Sequence, residues 1–196
     1  MTVITQLDPI ELFKNWMDEA NRKESSDANA MNLATVNASG EPSSRMVLLK
    51  DVDQRGFAFY TNLGSRKAKD MAANPKVALC FHWKSLKRQI RIEGTIEAVE
   101  ASEADTYFAS RDRDSRIGAW ASKQSQVLFE RVDLEKLVAK FNVNFHTDEV
   151  PRPKFWSGFR VVPVLVEFWT DKPSRLHERL VFHRVGNKWA TENLFP

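Results

Sequence analysis

The sequence predicts an α+β domain in which many short antiparallel strands curl into a closed or nearly closed barrel with peripheral helices. Three observations lead there. Alternation of apolar and polar residues recurs in short segments (31–36, 44–51, 56–61, 76–83 and 88–100), each bounded by Gly, Pro, Asn or Asp. Helical periodicity is confined to a few stretches between these segments. The 196 residues, 42% of them hydrophobic, contain no internal repeat, low-complexity tract or linker, so one core and one domain over 1–196 are expected.

Each element has its own signal. Asp8-Pro9 opens a helix: Asp8 can cap, Pro9 suits the first helical position, and Glu11 completes a capping-box-like pattern. Leu12, Phe13, Trp16, Met17 and Ala20 form its apolar stripe. Residues 21–29 are polar and read as a loop. Strands are expected at 31–36 and 44–51, joined by a turn at 37–42, and at 56–61 after the turn Asp53-Gln54-Arg55-Gly56. Gly64-Ser65 precedes a short helix at 66–73, which Asn74-Pro75 closes. Strand 76–83 leads to the longest strand, 88–100, with Ile90, Ile92, Gly94, Ile96 and Ala98 on one face. Helical stretches at 101–110 and 126–141 follow, and strands at 159–169, 178–185 and 188–191 close the chain.

Composition excludes more than it assigns. A formal charge of +3, from 29 basic and 26 acidic residues, is too small to indicate nucleic acid. The single cysteine, Cys80, cannot form an internal disulfide and reads as a small core residue. Four histidines (82, 146, 177 and 183) show no metal-ligand spacing, so no metal site is expected. There is no charged-then-apolar leader and no apolar run long enough to span a bilayer, so a soluble cytoplasmic protein is expected, with no membrane partner. A Gly-rich dinucleotide fingerprint, a Walker loop and a nucleophile elbow are all missing.

The chemistry is concentrated in cationic motifs. In Arg45-Met46-Val47-Leu48-Leu49-Lys50, a strand would send Arg45 and Lys50 to opposite faces, as two separate anion contacts or as strand ends reaching solvent. Arg66 and Lys67 stand at a helix N-terminus, where cations oppose the macrodipole and an anion would explain them. Tyr107, Arg111 and Ser115 recur at four-residue intervals, as a second phosphate site or as a charged helix end laced with ion pairs. In extended conformation Arg175, His177 and Arg179 share a face. Two phosphate clamps, stacking aromatics and no nucleophile suggest a cofactor that brings its own reactivity.

These motifs, with 59–67, Arg88-Gln89, Glu93-Gly94, Asp114-Ser115, 117–120, Ser122-Lys123-Gln124-Ser125, Phe155-Trp156, Glu167-Phe168-Trp169 and Arg175-Leu176-His177, occur in one order from Asp8 onward. In that order the chain resembles the pyridoxine (pyridoxamine) 5′-phosphate oxidase family. The resemblance implies an FMN-binding split β-barrel that forms a homodimer, with FMN in clefts between the subunits. It implies FMN contacts at Arg45, Met46, Val47, Leu48, Leu49, Lys50, Tyr60, Thr61, Arg66, Lys67, Gln89, Gln124, Ser125, Trp169 and Arg179. Substrate contacts are implied at Lys50, Tyr107, Arg111, Ser115, Arg175 and His177, with Arg175 and His177 as the catalytic pair.

The expected reaction oxidises pyridoxine 5′-phosphate or pyridoxamine 5′-phosphate with dioxygen, and Asp27 is a candidate for proton handling. Competing readings are a related split-barrel FMN oxidase of the phenazine-pathway kind, a non-catalytic flavin or pyridoxal-phosphate carrier, and a nucleic-acid-binding barrel. The chain departs from the family pattern in three places. Only seven residues precede the first helix, Ser157 replaces a glycine in Phe155-Trp156-Ser157-Gly158, and Asn193 stands where an arginine is usual.

Overall fold

The computed structural model describes residues 3–5, 7–146 and 149–196. Among the described residues ten strands form one antiparallel sheet: β1 (Val3–Thr5), β2 (Ala30–Val36), β3 (Pro42–Leu48), β4 (Asp51–Asp53), β5 (Gly56–Asn62), β6 (Lys76–Trp83), β7 (Arg88–Ala98), β8 (Trp156–Thr170), β9 (Glu178–Val185) and β10 (Lys188–Asn193). Five helices accompany them: α1 (Pro9–Lys23), α2 (Arg66–Ala73), α3 (Ala101–Ser110), α4 (Arg113–Ala121) and α5 (Arg131–Asn144).

The main path runs β1-β10-β9-β8-β7-β6-β2-β3, and β5 pairs with both β4 and β8. β8 can serve three neighbours because it is 15 residues long: its first half faces β5, its second half faces β9, and β7 runs along both. The chain passes from β3 through residues 49 and 50 into β4, which curls the sheet back on itself. Below that crossing β3 has no ladder to β5, and the barrel is split there.

The curled sheet closes on an aromatic core. Phe13 from α1 is fully buried and meets Phe57 and Phe81 edge-on at 4.9 and 5.1 Å. Burying a side chain of this size contributes about 1.5–3 kcal/mol. α1 is seated as its sequence predicts: Asp8 accepts from the Ile10 N–H at 2.8 Å, and Ile10, Phe13, Met17 and Ala20 are buried. Leu12 and Trp16 pack on the rim of the same core.

Several expectations change. The 44–51 strand stops at Leu48, because the Leu49 N–H turns to Asn29 O and the Lys50 N–H to Ala58 O. α4 forms over residues where no helix was predicted, and α5 begins at Arg131 instead of 126. Cys80 is half-buried, on the opposite strand face from Leu79 and Phe81. On the 88–100 strand the predicted face is buried through Gly94, and the ladder then slips because Val164 of β8 is unpaired. Among the described residues no helix is long and apolar enough to cross a membrane, and no group of His, Cys, Asp and Glu could hold a metal ion.

Candidate functional site

A cavity of about 1070 Å³ opens at the split, lined by β3, the end of β5, the start of α2, and the α3–α4 corner. Of the residues expected to bind cofactor or substrate, Arg45, Met46, Val47, Leu48, Lys50, Tyr60, Thr61, Arg66, Lys67, Tyr107, Arg111, Ser115, Gln124 and Ser125 line it. Arg45 and Lys50 therefore share one cavity instead of serving separate faces. The cause is the crossing at 49–50, which ends the alternation before it reaches Lys50. Leu49 turns the other way into the core, and both its backbone groups are bonded to Asn29.

One wall collects cations from two elements. Ser65 caps α2 by accepting from the Ala68 N–H, as the Gly64-Ser65 signal predicts. The first two helical residues then project Arg66 and Lys67 toward Arg45. Lys67 is buried, and its Nζ donates to Thr61 Oγ1, Ser65 Oγ and Gln124 Oε1 at 3.1–3.3 Å. All three acceptors are neutral, so burial, reinforced by Arg45, holds the Lys67 ammonium below its ordinary pKa. A buried cation with only neutral partners is a site for an anion.

The second group is built on aromatic rings. Tyr60 and Tyr107 stack at 4.1 Å between centroids, and Trp156 lies parallel at 5.4 and 6.0 Å from them. Gly158 makes room, since a Cβ there would sit 2.6 Å from the Tyr60 ring. Its neighbour Ser157 is an ordinary strand residue opposite Thr61, so serine serves there. Arg111 lies over Trp156 at 5.1 Å; its Nη1 is buried without a hydrogen-bond partner, and burial lowers its pKa. Tyr107, Arg111 and Ser115 meet at a corner, not along one helix: α3 ends at Ser110, and Asp112 caps α4 by accepting from the Ser115 N–H at 2.7 Å. Lys50 Nζ stands 6.0 Å from the Tyr107 ring.

Trp156 and Asn62 also line the cavity and were not predicted as site residues. Asn62 donates to Ser122 O at 3.0 Å and so ties the segment carrying Gln124 and Ser125 to β5. The Phe155-Trp156 motif and the position of Asn62 between Thr61 and Gly64 were the available signals.

A second set lies outside this cavity. Gln89, Trp169 and Arg179 are neighbours in one row across β7, β8 and β9. Arg179 is held by Glu167 at 2.7 Å, and the His177 ring tilts against Trp169 at 4.7 Å. His177 Nδ1 faces Asp171 Oδ1 at 3.1 Å. Arg175 does not share a strand face with His177 and Arg179. It sits in a 3-10 turn over Pro173–Arg175 where Ser174 and Arg175 take positive φ (59° and 61°), and β9 starts only at Glu178. Asp27 lines a smaller cavity of about 570 Å³, which shares Lys50 with the first.

Comparison with known proteins places this geometry. The family described as Pyridoxamine 5′-phosphate oxidase matches residues 17–144, and the Pyridoxine 5′-phosphate oxidase C-terminal dimerisation region matches 156–196. A pyridoxine/pyridoxamine 5′-phosphate oxidase from Caulobacter vibrioides is 57% identical over 194 residues, covering 99% of this chain and 87% of the relative. One of the same name from Rhodospirillum rubrum is 54% identical and covers 100% of both. Among solved structures, PhzG from Burkholderia lata, in complex with tetrahydrophenazine-1-carboxylic acid, superposes with a TM-score of 0.90 at 32% identity, covering 96% of this chain and 93% of that one. A pyridoxamine 5′-phosphate oxidase-related FMN-binding protein from Nostoc punctiforme shares the fold, with a TM-score of 0.77 at 17% identity over 98% of this chain and 100% of that one. The chain belongs to the pyridoxine/pyridoxamine 5′-phosphate oxidase family.

Proposed function

We propose that this protein oxidises pyridoxine 5′-phosphate and pyridoxamine 5′-phosphate to pyridoxal 5′-phosphate, using FMN and dioxygen. The observation that carries the reading is the pairing of two cationic groups on one cavity: Arg45, Arg66 and Lys67 on one side, Lys50 and Arg111 beside the aromatic stack on the other. Its volume of about 1070 Å³ stands at the upper end for small-molecule pockets, and two cationic groups on one cavity suit two phosphorylated rings.

The residues present fit the cofactor. Lys67, with its neutral acceptors, Arg66 and Arg45 would hold its phosphate, and Thr61, Gln124 and Ser125 offer further polar contacts. When bound, FMN would take two electrons as hydride from the substrate's exocyclic carbon and pass them to dioxygen, giving hydrogen peroxide. Arg111, with its unpartnered buried Nη1, would take the substrate phosphate with Lys50, Tyr107 and Ser115. Fixing the phosphate and stacking the ring restricts the substrate to near-attack geometry, an effect of roughly 7–11 kcal/mol at its upper end.

Gln89, Trp169, Arg175, His177 and Arg179 would reach a neighbouring cavity across a homodimer, each cleft drawing on both subunits. The match of 156–196 to a dimerisation region supports this, because that segment carries four of the five. Arg175 and His177 would then orient the substrate over the flavin.

The test is the visible spectrum of the purified protein, followed by pyridoxamine 5′-phosphate in air. A flavin spectrum that bleaches without oxygen, and peroxide, ammonia and pyridoxal 5′-phosphate in equal amounts with oxygen, are expected. Bound flavin that no phosphorylated vitamer reduces would refute the oxidase reading and leave a carrier. Reduction by a phenazine precursor alone would favour the PhzG-like alternative, which the 32% identity to that structure keeps in view.

A further inference from the structure

Among the cations Arg66, Lys67 and Lys69, helix α2 carries one carboxylate. One turn on from Arg66, Asp70 turns this buried carboxylate toward β2. Asp70 Oδ2 accepts from Thr35 Oγ1 at 2.8 Å, and Thr35 Oγ1 accepts from Arg45 Nη1 at 2.7 Å. Arg45 Nη2 lies 3.8 Å from the same carboxylate oxygen. Thr35 is 1% exposed and sits opposite Ser43 in the β2–β3 ladder. Ser43 takes two more guanidinium bonds, through O at 3.2 Å and Oγ at 2.8 Å, and Leu33 O takes another at 3.2 Å.

We infer that Thr35 and Asp70 are positioning residues for the cofactor's phosphate, fixing the Arg45 guanidinium on the cavity wall so that α2 both supplies two cations and aims a third. The inference rests on the reading that Arg45, Arg66 and Lys67 grip that phosphate. Three neighbouring cations repel one another, and a long arginine on an edge strand has many rotamers to escape into. A hydroxyl has one proton to donate and lone pairs to accept, so Thr35, by donating to Asp70, is left to accept from Arg45 alone on this line. Every member of this buried chain is bonded, the condition under which a polar network fixes one geometry. Nothing about Arg45 in the sequence points to Thr35 or Asp70, which come from other elements.

The experiment is FMN titration of the apoprotein by quenching of flavin fluorescence, with the apoprotein melting temperature measured on the same samples. Thr35→Val keeps the β-branched shape and removes the hydroxyl; it should weaken FMN binding roughly tenfold. Thr35→Ser restores the hydroxyl and should stay within about threefold of the unaltered protein. Asp70→Leu keeps the size but takes the acceptor from Thr35 and the counter-charge from Arg45, and should also weaken FMN binding roughly tenfold. Arg45→Ala should lose at least as much as Thr35→Val. Should Thr35→Val yield too little folded protein, Thr35→Ala read against Thr35→Ser carries the same test.

Unchanged affinity in Arg45→Ala would remove Arg45 from the phosphate grip and sink the underlying reading. Weakened binding in Arg45→Ala with normal binding in Thr35→Val would overturn the positioning role alone. So would a Thr35→Ser variant as weak as Thr35→Val, unchanged FMN affinity in Asp70→Leu, or a lower melting temperature in Thr35→Val with unchanged FMN affinity.

Discussion

Tyr60 and Tyr107 lie ring on ring, 4.1 Å apart and 21° from parallel, and they are the only two tyrosines in the chain. One comes from β5 and the other from α3, so the stack fastens to the barrel the helix whose end leads into Arg111. Burial, aided by Glu103, pushes the Tyr60 pKa up to about 12. Its neutral form is therefore favoured in the folded state. The associated stability is complete below the ordinary tyrosine value of 10.0 and is lost as pH rises from there through about 12. In Tyr107→Phe the one remaining tyrosine should ionise near pH 12, followed by absorbance near the phenolate band. Ionisation near 10 would mean that Tyr60 is open to solvent. The exchanged ring keeps the stack, so thermal stability should change little, whereas Tyr107→Ala should cost about 0.5–1.5 kcal/mol beyond its lost burial.

Separate cationic groups predict separable losses. Arg111→Ala should weaken pyridoxine 5′-phosphate binding by about 10- to 150-fold, the worth of a charge-assisted contact of about 1.5–3 kcal/mol, with flavin content unchanged. Arg66→Ala should loosen FMN first and leave substrate affinity of the remaining holoenzyme near normal. Flavin absorbance per protein and KM at saturating oxygen read the two effects independently. Loss of flavin from Arg111→Ala with normal KM would merge the two groups into one.

Arg160 predicts stability. It is 4% exposed in β8 and meets Glu103 at 2.6 Å, Asp53 at 3.2 Å and Asp51 at 3.6 Å, which joins α3 and β4 to the barrel. Its carboxylate partners are 24–51% exposed, so removing Arg160 leaves charge that water reaches in part and should cost less than the ~3–5 kcal/mol of a fully buried pair. Arg160→Met should lower the urea midpoint accordingly. Because Glu103 is on the helix that bears Tyr107, substrate affinity should fall as well. A variant with an unchanged midpoint would show that the carboxylates find water instead.

What the sequence made legible was local. α2 carries its own start signal in Gly64-Ser65 and its own stop in Asn74-Pro75, and it runs as predicted. Arg66-Lys67 was legible as an anion site from its own residues, whereas Tyr60 and Thr61 came only through the family resemblance; all four line the cavity. Misreadings came where a distant partner decides the backbone. Lys50 left the predicted strand because Ala58, eight residues on, takes its N–H. Arg175 left its predicted strand face because Ser174 and Arg175 adopt a left-handed turn with no glycine to announce it. Thr35 and Asp70 had no motif at all, since their relation to Arg45 exists only in the packed barrel.

The row Gln89, Trp169 and Arg179, with His177 against Trp169, lies outside the cavity that holds most of the other expected contacts. If each cleft draws on both subunits, Arg111→Ala spoils a cleft through one chain and His177→Ala through the other. A dimer of either variant then has two damaged clefts. In a hybrid dimer, both changes fall in one cleft and the second is intact. Unfolding the two variants together and refolding them at equal amounts should give about half hybrids, each with one of two clefts working, so activity should recover to about a quarter of the unaltered level. Each variant refolded alone should stay low, and in His177→Ala alone the deficit should appear in anaerobic flavin reduction and not in reoxidation by dioxygen. If mixing restores nothing although hybrids are seen by tagged co-purification, Arg111 and His177 serve one cleft from one chain, and the shared-cleft arrangement is wrong.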